Sequence, residues 1–273
     1  MNSDVDSTKT KPDGVGVTGM NEDYRASHEG KGDSYHARFL ENPKRALMWS
    51  IEQRVLKNIT GSFLAGKDID YLDFACGTGR VLALMEKETQ NATGVDVSKS
   101  MLEVARKNVT RAEVIEGDIT RNTVLPGREF DLITAFRFFP NAEDQLREDA
   151  MNALAKRLKP GGFLVFNNHK SASALSYRVV KMLRRNSADQ PTAKTEVRPG
   201  AADRRMTKAE VQRLVESAGL HIRKAYPIGI LPDYETRLLR PRFLVSLIEK
   251  VASRLPISSF AENILYVCSK ESK

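Results

Sequence analysis

A chain of 273 residues that is 41% hydrophobic and 29% charged has room for one generous α/β domain, or a domain with a small cap, and the composition of an ordinary globular protein. No run of 18 apolar residues occurs, which excludes a transmembrane helix, and the first ten residues lack the apolar segment of a secretory leader. The net charge of +8 is uneven: residues 1–33 carry 4 basic and 7 acidic groups, whereas residues 171–273 carry 19 basic and 10 acidic ones. A partner or acidic substrate is therefore to be sought in the C-terminal third, with a solvated basic face as the plainer reading.

Residues 1–33 are rich in Gly, Ser, Thr, Asp and Lys, too polar to bury much surface, and read as a disordered tail ahead of a domain over 34–273. Residues 34–60 read as a helical cap. Pro43 divides a short helix from a longer one, in which Leu47, Ile51, Val55 and Leu56 recur at helical spacing. From Asp70 short apolar runs alternate with helical patterns, as in a parallel βαβ sheet. Strands are predicted at 70–75, 92–96, 112–117, 129–135, 162–168, 221–228 and 261–269. Helices are predicted at 79–88, 100–108, 142–158 and 207–218. Lys159-Pro160-Gly161-Gly162 reads as a helix stop and turn. Residues 170–206, basic and amphipathic at first and then polar, read as an insertion on the acceptor side.

The only cysteines, Cys76 and Cys268, form no C-x-x-C pair, which fits a reducing, cytoplasmic setting without structural zinc. His28, His36 and His221 show no metal-ligand spacing, so no metal is expected.

The strongest signal is D-Y-L-D-F-A-C-G-T-G-R-V-L, a strand ending at Ala75, a glycine turn and a helix start. Gly77 and Gly79 let backbone approach a ligand over the helix N-terminus. A dinucleotide fingerprint would need a third glycine where Leu82 stands, and no G-K-[ST] follows. Asp73, within the strand, would repel phosphates and hold an ammonium. The pattern points to an amino-acid nucleoside.

With D-x-A-C-G-T-G in place, the chain resembles the class I S-adenosylmethionine-dependent methyltransferases of the small-molecule, O-methyltransferase-like type. T-G-V-D-V-S, I-E-G-D-I-T, F-D-L-I-T-A-F-R-F-F and L-K-P-G-G-F-L-V-F follow in that family's order. The resemblance implies a Rossmann-like, mostly parallel seven-stranded sheet with helices on both faces, an N-terminal helical cap and an insertion after the fifth strand. It implies S-adenosyl-L-methionine as cofactor. Asp96 would bind both ribose hydroxyls and Asp118 the adenine amino group, with Met101 and Ile119 packed near the ring. Asp73, Ala75, Gly77, Gly79, Val97 and Phe136 complete the expected cofactor contacts, and Arg45 would pair with the methionine carboxylate. Helix capping is the other reading of Asp96 and Asp118, and a solvated helix arginine that of Arg45.

Acceptor contacts are expected from Tyr35, Arg137, Phe138, Asn141, Asn167, Asn168 and His169. His169, Arg137 and Tyr35 are the catalytic candidates. His169 is placed by topology at a strand's carboxyl end and suits base work, or else it is a polar strand terminator. No [ND]-P-P-[YFW] follows the fourth strand, and aromatics are not interleaved with the basic excess, both of which count against nucleic acid. Residues 173–186 and 236–255 are basic and amphipathic, suited to an anionic membrane surface, to an amphiphilic acceptor, or to ordinary core. The expected function is methyl transfer to a small-molecule, glycan or lipid-linked acceptor, at oxygen. The alternatives are an RNA methyltransferase, carried by charge alone, and a non-catalytic cofactor-binding protein on the same fold.

Overall fold

A computed structural model describes residues 43–121, 124–169, 171–172, 174, 205–230, 242–258 and 261–271. The tail over 1–33, the short helix ahead of Pro43, Tyr35, and nearly all of the 170–206 segment lie outside the described residues.

Seven strands form one sheet: β1 (Asp70–Phe74), β2 (Asn91–Asp96), β3 (Glu113–Glu116), β4 (Phe130–Ala135), β5 (Leu158–Asn168), β6 (His221–Ile228) and β7 (Asn263–Ser269). Their order is β3-β2-β1-β4-β5-β7-β6. The first five run parallel, and β7 is antiparallel to both β5 and β6. The central strands are buried almost end to end, as expected where helices cover both faces.

The helices are α1 (Pro43–Asn58), α2 (Arg80–Met85), α3 (Lys99–Asn108), α4 (Asp144–Lys156), α5 (Lys208–Ser217) and α6 (Arg242–Ala252). On one face Ile51, Val55 and Leu56 of α1 pack with Val81, Leu82 and Met85 of α2 over Tyr71, Leu132 and Leu265. On the other, Leu146, Met151 and Leu154 of α4 join Val211 and Val215 of α5 over Phe130, Ile133 and Phe166. The stripe read in α1 thus buries Ile51, Val55 and Leu56, each at 1% exposure or less. Pro43 opens this helix, where its missing N–H costs nothing.

Element ends shift by a residue or two, except at β5 and at the end of α2, which stops at Met85, three residues short of the expected 88. Lys159-Pro160-Gly161-Gly162 is not a turn ahead of the strand but lies within it. Leu158 already pairs with Phe130, and the register slips before Leu132 pairs with Phe163. The slip is built on Gly161 at φ 73°. Lys159 donates to Asp70 (2.7 Å) and Asp131 (2.8 Å) beside it, pinning β5 to the amino ends of β1 and β4. A Pro-Gly-Gly string is compatible with a bulge as well as with a turn, and sheet pairing decides between them.

The ends of the 170–206 segment come together at the carboxyl end of β5. Asn168 donates its side-chain amide to the Met206 carbonyl (3.0 Å), and the Ala172 amide bonds the same oxygen (3.2 Å).

Candidate active site

A cleft opens at the carboxyl edge of β1, β2 and β4, the edge where ligands bind in open α/β sheets. The loop after β1 forms its floor. Ala75, Gly77 and Gly79 adopt φ of 53°, 54° and 75°, a left-handed sequence that turns successive amides. Glycine suits this at two of the three positions, and Ala75 carries local strain of roughly 1 kcal/mol or more. At Gly79 a Cβ would also come within 3.1 Å of the Ala105 backbone, so α2 and α3 are held close by the lack of a side chain.

Neighbouring strands fix this loop. The Cys76 amide bonds the Val95 carbonyl (3.1 Å), and Asn108 of α3 donates to the Thr78 carbonyl (2.9 Å). Asp96 at the end of β2 accepts from the Gly77 amide (2.8 Å) with one oxygen and from the Ser98 amide (2.9 Å) with the other. The N-cap of α3 is Ser98, whose hydroxyl accepts from the Met101 amide. Asp96 is therefore a brace between loop and strand end rather than a helix cap, and it lines the cleft.

Asp73 is the most unusual group. It is 2% exposed and lines the cleft. One carboxylate oxygen accepts from the Thr134 hydroxyl (2.7 Å), which in turn accepts from the Tyr71 hydroxyl (2.6 Å). The other oxygen is buried without a hydrogen-bond partner. Burial pushes the Asp73 carboxyl up to about 7, against the opposing pull of the Thr134 hydroxyl and the Arg80 charge. A buried acceptor of this kind is costly unless a ligand completes it.

Arg80 lines the cleft just beyond the glycine loop. Its guanidinium stacks 3.8 Å from the Trp49 ring centre and lies 3.8 Å from Glu52, both on α1. Glu52 is buried, and burial raises its carboxyl while Arg80, Arg137 and Asn167 pull it down. Asn167 at the end of β5 joins this group, accepting from the Arg137 amide (2.6 Å) and donating to Glu52 (3.4 Å). Asn141 donates to the Arg137 carbonyl (2.6 Å). Arg137, at φ 62°, is thereby clamped between the ends of β4 and β5.

Of the residues singled out in the sequence, Asp73, Ala75, Gly77, Asp96, Val97, Met101, Asp118, Phe136, Arg137, Phe138 and Asn141 line one cleft. Gly79 shapes the turn from behind it. Asp118 accepts from the Thr120 amide and hydroxyl (2.9 and 2.6 Å) and sits 3.4 Å from Arg121, so it caps a 3-10 turn while facing the cleft. Ile119 is fully buried in the core and does not line this cleft. Arg45, on α1, and Asn167, Asn168 and His169, buried at the end of β5, are not among the residues that line it. The sequence reading missed Arg80, Thr78 and Thr120, which do line the cleft.

Residues 72–162 match the family model described as a methyltransferase domain. The malonyl-[acyl-carrier protein] O-methyltransferase of Priestia megaterium is 32% identical over 125 residues, 43% of each chain. The ubiquinone/menaquinone biosynthesis C-methyltransferase of Campylobacter jejuni is 32% identical over 106 residues, 36% of this chain and 44% of that one. Over these stretches the chain is similar to methyltransferases. It spans less than half the length of these two relatives. The fold of the domain is shared with magnesium protoporphyrin IX methyltransferase from Synechocystis, solved with bound S-adenosylhomocysteine. The TM-score is 0.59 at 11% identity, over 90% of this chain and 98% of that one. The residues matched by the family model run from within β1 into β5 and so contain the whole glycine loop and its braces.

Proposed function

We propose that the chain transfers the methyl group of S-adenosylmethionine to oxygen of a small, anionic acceptor held near Arg137. The observation that carries the reading is Asp73, a buried carboxylate with one unpartnered oxygen in a cleft floored by left-handed backbone. That oxygen fits an ammonium group, and Arg80 beside it fits a carboxylate, the two charges of an amino-acid zwitterion. Asp96 lines the cleft while bracing the loop, where it fits ribose hydroxyls. Val97, Met101, Asp118 and Thr120 offer an apolar wall and polar edge for adenine.

When bound, the cofactor supplies a methyl carbon on positively charged sulfur. The protein's work is then alignment and exclusion of water. Phe136 and Phe138, 7% and 5% exposed, would shield the reacting centre on the β4 side. Arg137, clamped by Asn167 and Asn141, would hold an oxygen that already carries negative charge. His169 is buried at the end of β5 and is not among the residues lining the cleft, so the proposed acceptor is a carboxylate or an acidic hydroxyl, which needs no strong base. The O-methyltransferase named among the relatives supports oxygen, and the Arg137 position supports the anion.

The test is incubation with methyl-labelled cofactor and separated lipid, polar-metabolite and RNA extracts. Label should enter an acidic species of the lipid or polar-metabolite fraction. Label in RNA, or in none of the three, would contradict the proposal.

A further inference from the structure

Helix α6 shows solvent the face that a soluble helix ordinarily buries. Phe243, Leu244, Leu247, Ile248 and Val251 are all exposed, Phe243 at 68% and Leu247 at 56%, and Leu255 in the turn beyond extends the row. Their spacing puts them on one stripe. The opposite side holds the helix to the domain through polar and small groups. Glu249, 1% exposed, accepts from the Gly229 and Ile230 amides (3.1 and 3.0 Å) beyond β6. Ala252 and Ser253 are buried, and Arg54 of α1 donates to the Ser253 hydroxyl.

Charge tells what kind of surface this stripe fits. Over residues 242–258 the only acidic residue is Glu249, which is buried against the domain, whereas Lys250 and Arg254 are exposed. The outward surface is therefore apolar and cationic. A symmetric contact with a second copy would bring Lys250 and Arg254 towards their own kind with no exposed carboxylate on the segment to answer them. An anionic bilayer answers both properties: acyl boundary for the apolar row, phosphates for the cations.

Position adds a consequence. Ile228 of β6 and Asn168 of β5 pair with Asn263 and Ile264 of β7, so the end of β6 that α6 packs beside lies at the carboxyl edge. The cleft opens at that same edge. We propose that α6 is an interfacial helix that seats this edge on an anionic lipid bilayer, whatever the acceptor is.

Sedimentation of the full chain with vesicles of mixed phosphatidylglycerol and phosphatidylcholine, and of phosphatidylcholine alone, tests this at low and high salt. The chain should partition onto the mixed vesicles, prefer them over the neutral ones, and lose part of that binding in salt. Lys250→Gln with Arg254→Gln should lower partition about 30-fold, roughly fivefold per charge. Phe243→Ser with Leu247→Ser should lower it at least about tenfold. Both variants should keep the parent's melting temperature and S-adenosylhomocysteine affinity; if the apolar pair fails to fold, Leu247→Ser alone replaces it. A chain that ignores mixed vesicles at low salt overturns the proposal, as does unchanged partition in the apolar variant. Concentration-dependent dimerisation abolished by Phe243→Ser and Leu247→Ser would overturn it in favour of a second copy.

Discussion

Above pH 7 the buried carboxylate of Asp73 is ionised in surroundings that disfavour its charge. Its folded value, near 7, lies above the ordinary 3.8, so the folded chain holds that proton more tightly than the unfolded one. The corresponding stability is present below about pH 4 and is lost as pH rises through 7. Asp73→Asn keeps an acceptor for Thr134 and removes the charge. By urea titration it should match the parent near pH 4 and exceed it by about 1–3 kcal/mol at pH 8. The same variant should bind cofactor more weakly at pH 8, because an ammonium loses its counter-charge. Parent affinity should fall as pH drops below 7, with proton release on binding visible by calorimetry in buffers of different ionisation heat. Arg137→Gln tests the acceptor side: methyl transfer should fall at least about tenfold, with cofactor affinity unchanged, and equal rates in the two proteins would remove Arg137 from the acceptor site. Residue legibility follows the same physics. Asp73 and Asp96 stand at strand ends in a recognisable motif. Arg80 carries no such mark, because only the fold turns the residue after the glycine loop towards Trp49 and Glu52 of α1.

Among elements, α1 is both cover and wall. Its apolar side closes one face of the sheet, and Glu52 and Trp49 reach the charged groups at the cleft. Leu56→Ala, at a site with no exposure, should destabilise the domain by about 2–4 kcal/mol in urea unfolding. A loss below about 0.5 kcal/mol would show α1 to be loosely attached. The stripe of α1 was legible because three of its four apolar positions enter the core. The start of β5 was not, because Pro160-Gly161-Gly162 breaks the apolar run that marks a strand, and pairing with β4 and the Lys159 bridge restores it. Helix α6 was legible as amphipathic, but sequence periodicity does not say which side faces inward. Glu249 decides that, through two backbone amides distant in sequence.

For the whole molecule, alternating apolar runs and helical patterns were enough to expect an open parallel sheet, and the seven strands fall where those runs lie. The strand order could not be read from periodicity, since β7 inserts between β5 and β6 through contacts remote in the chain. On the reading proposed above, the glycine loop after β1 is the floor of a nucleoside site braced by Asp96. Calorimetric titration of S-adenosylhomocysteine into the parent and Asp96→Ala tests it most directly. The parent should bind, and the variant should bind about 1.5–3 kcal/mol more weakly, with some loss of unliganded stability because the Gly77 and Ser98 amides lose their acceptor. A parent that does not bind, or equal affinity in the two proteins, would contradict the account.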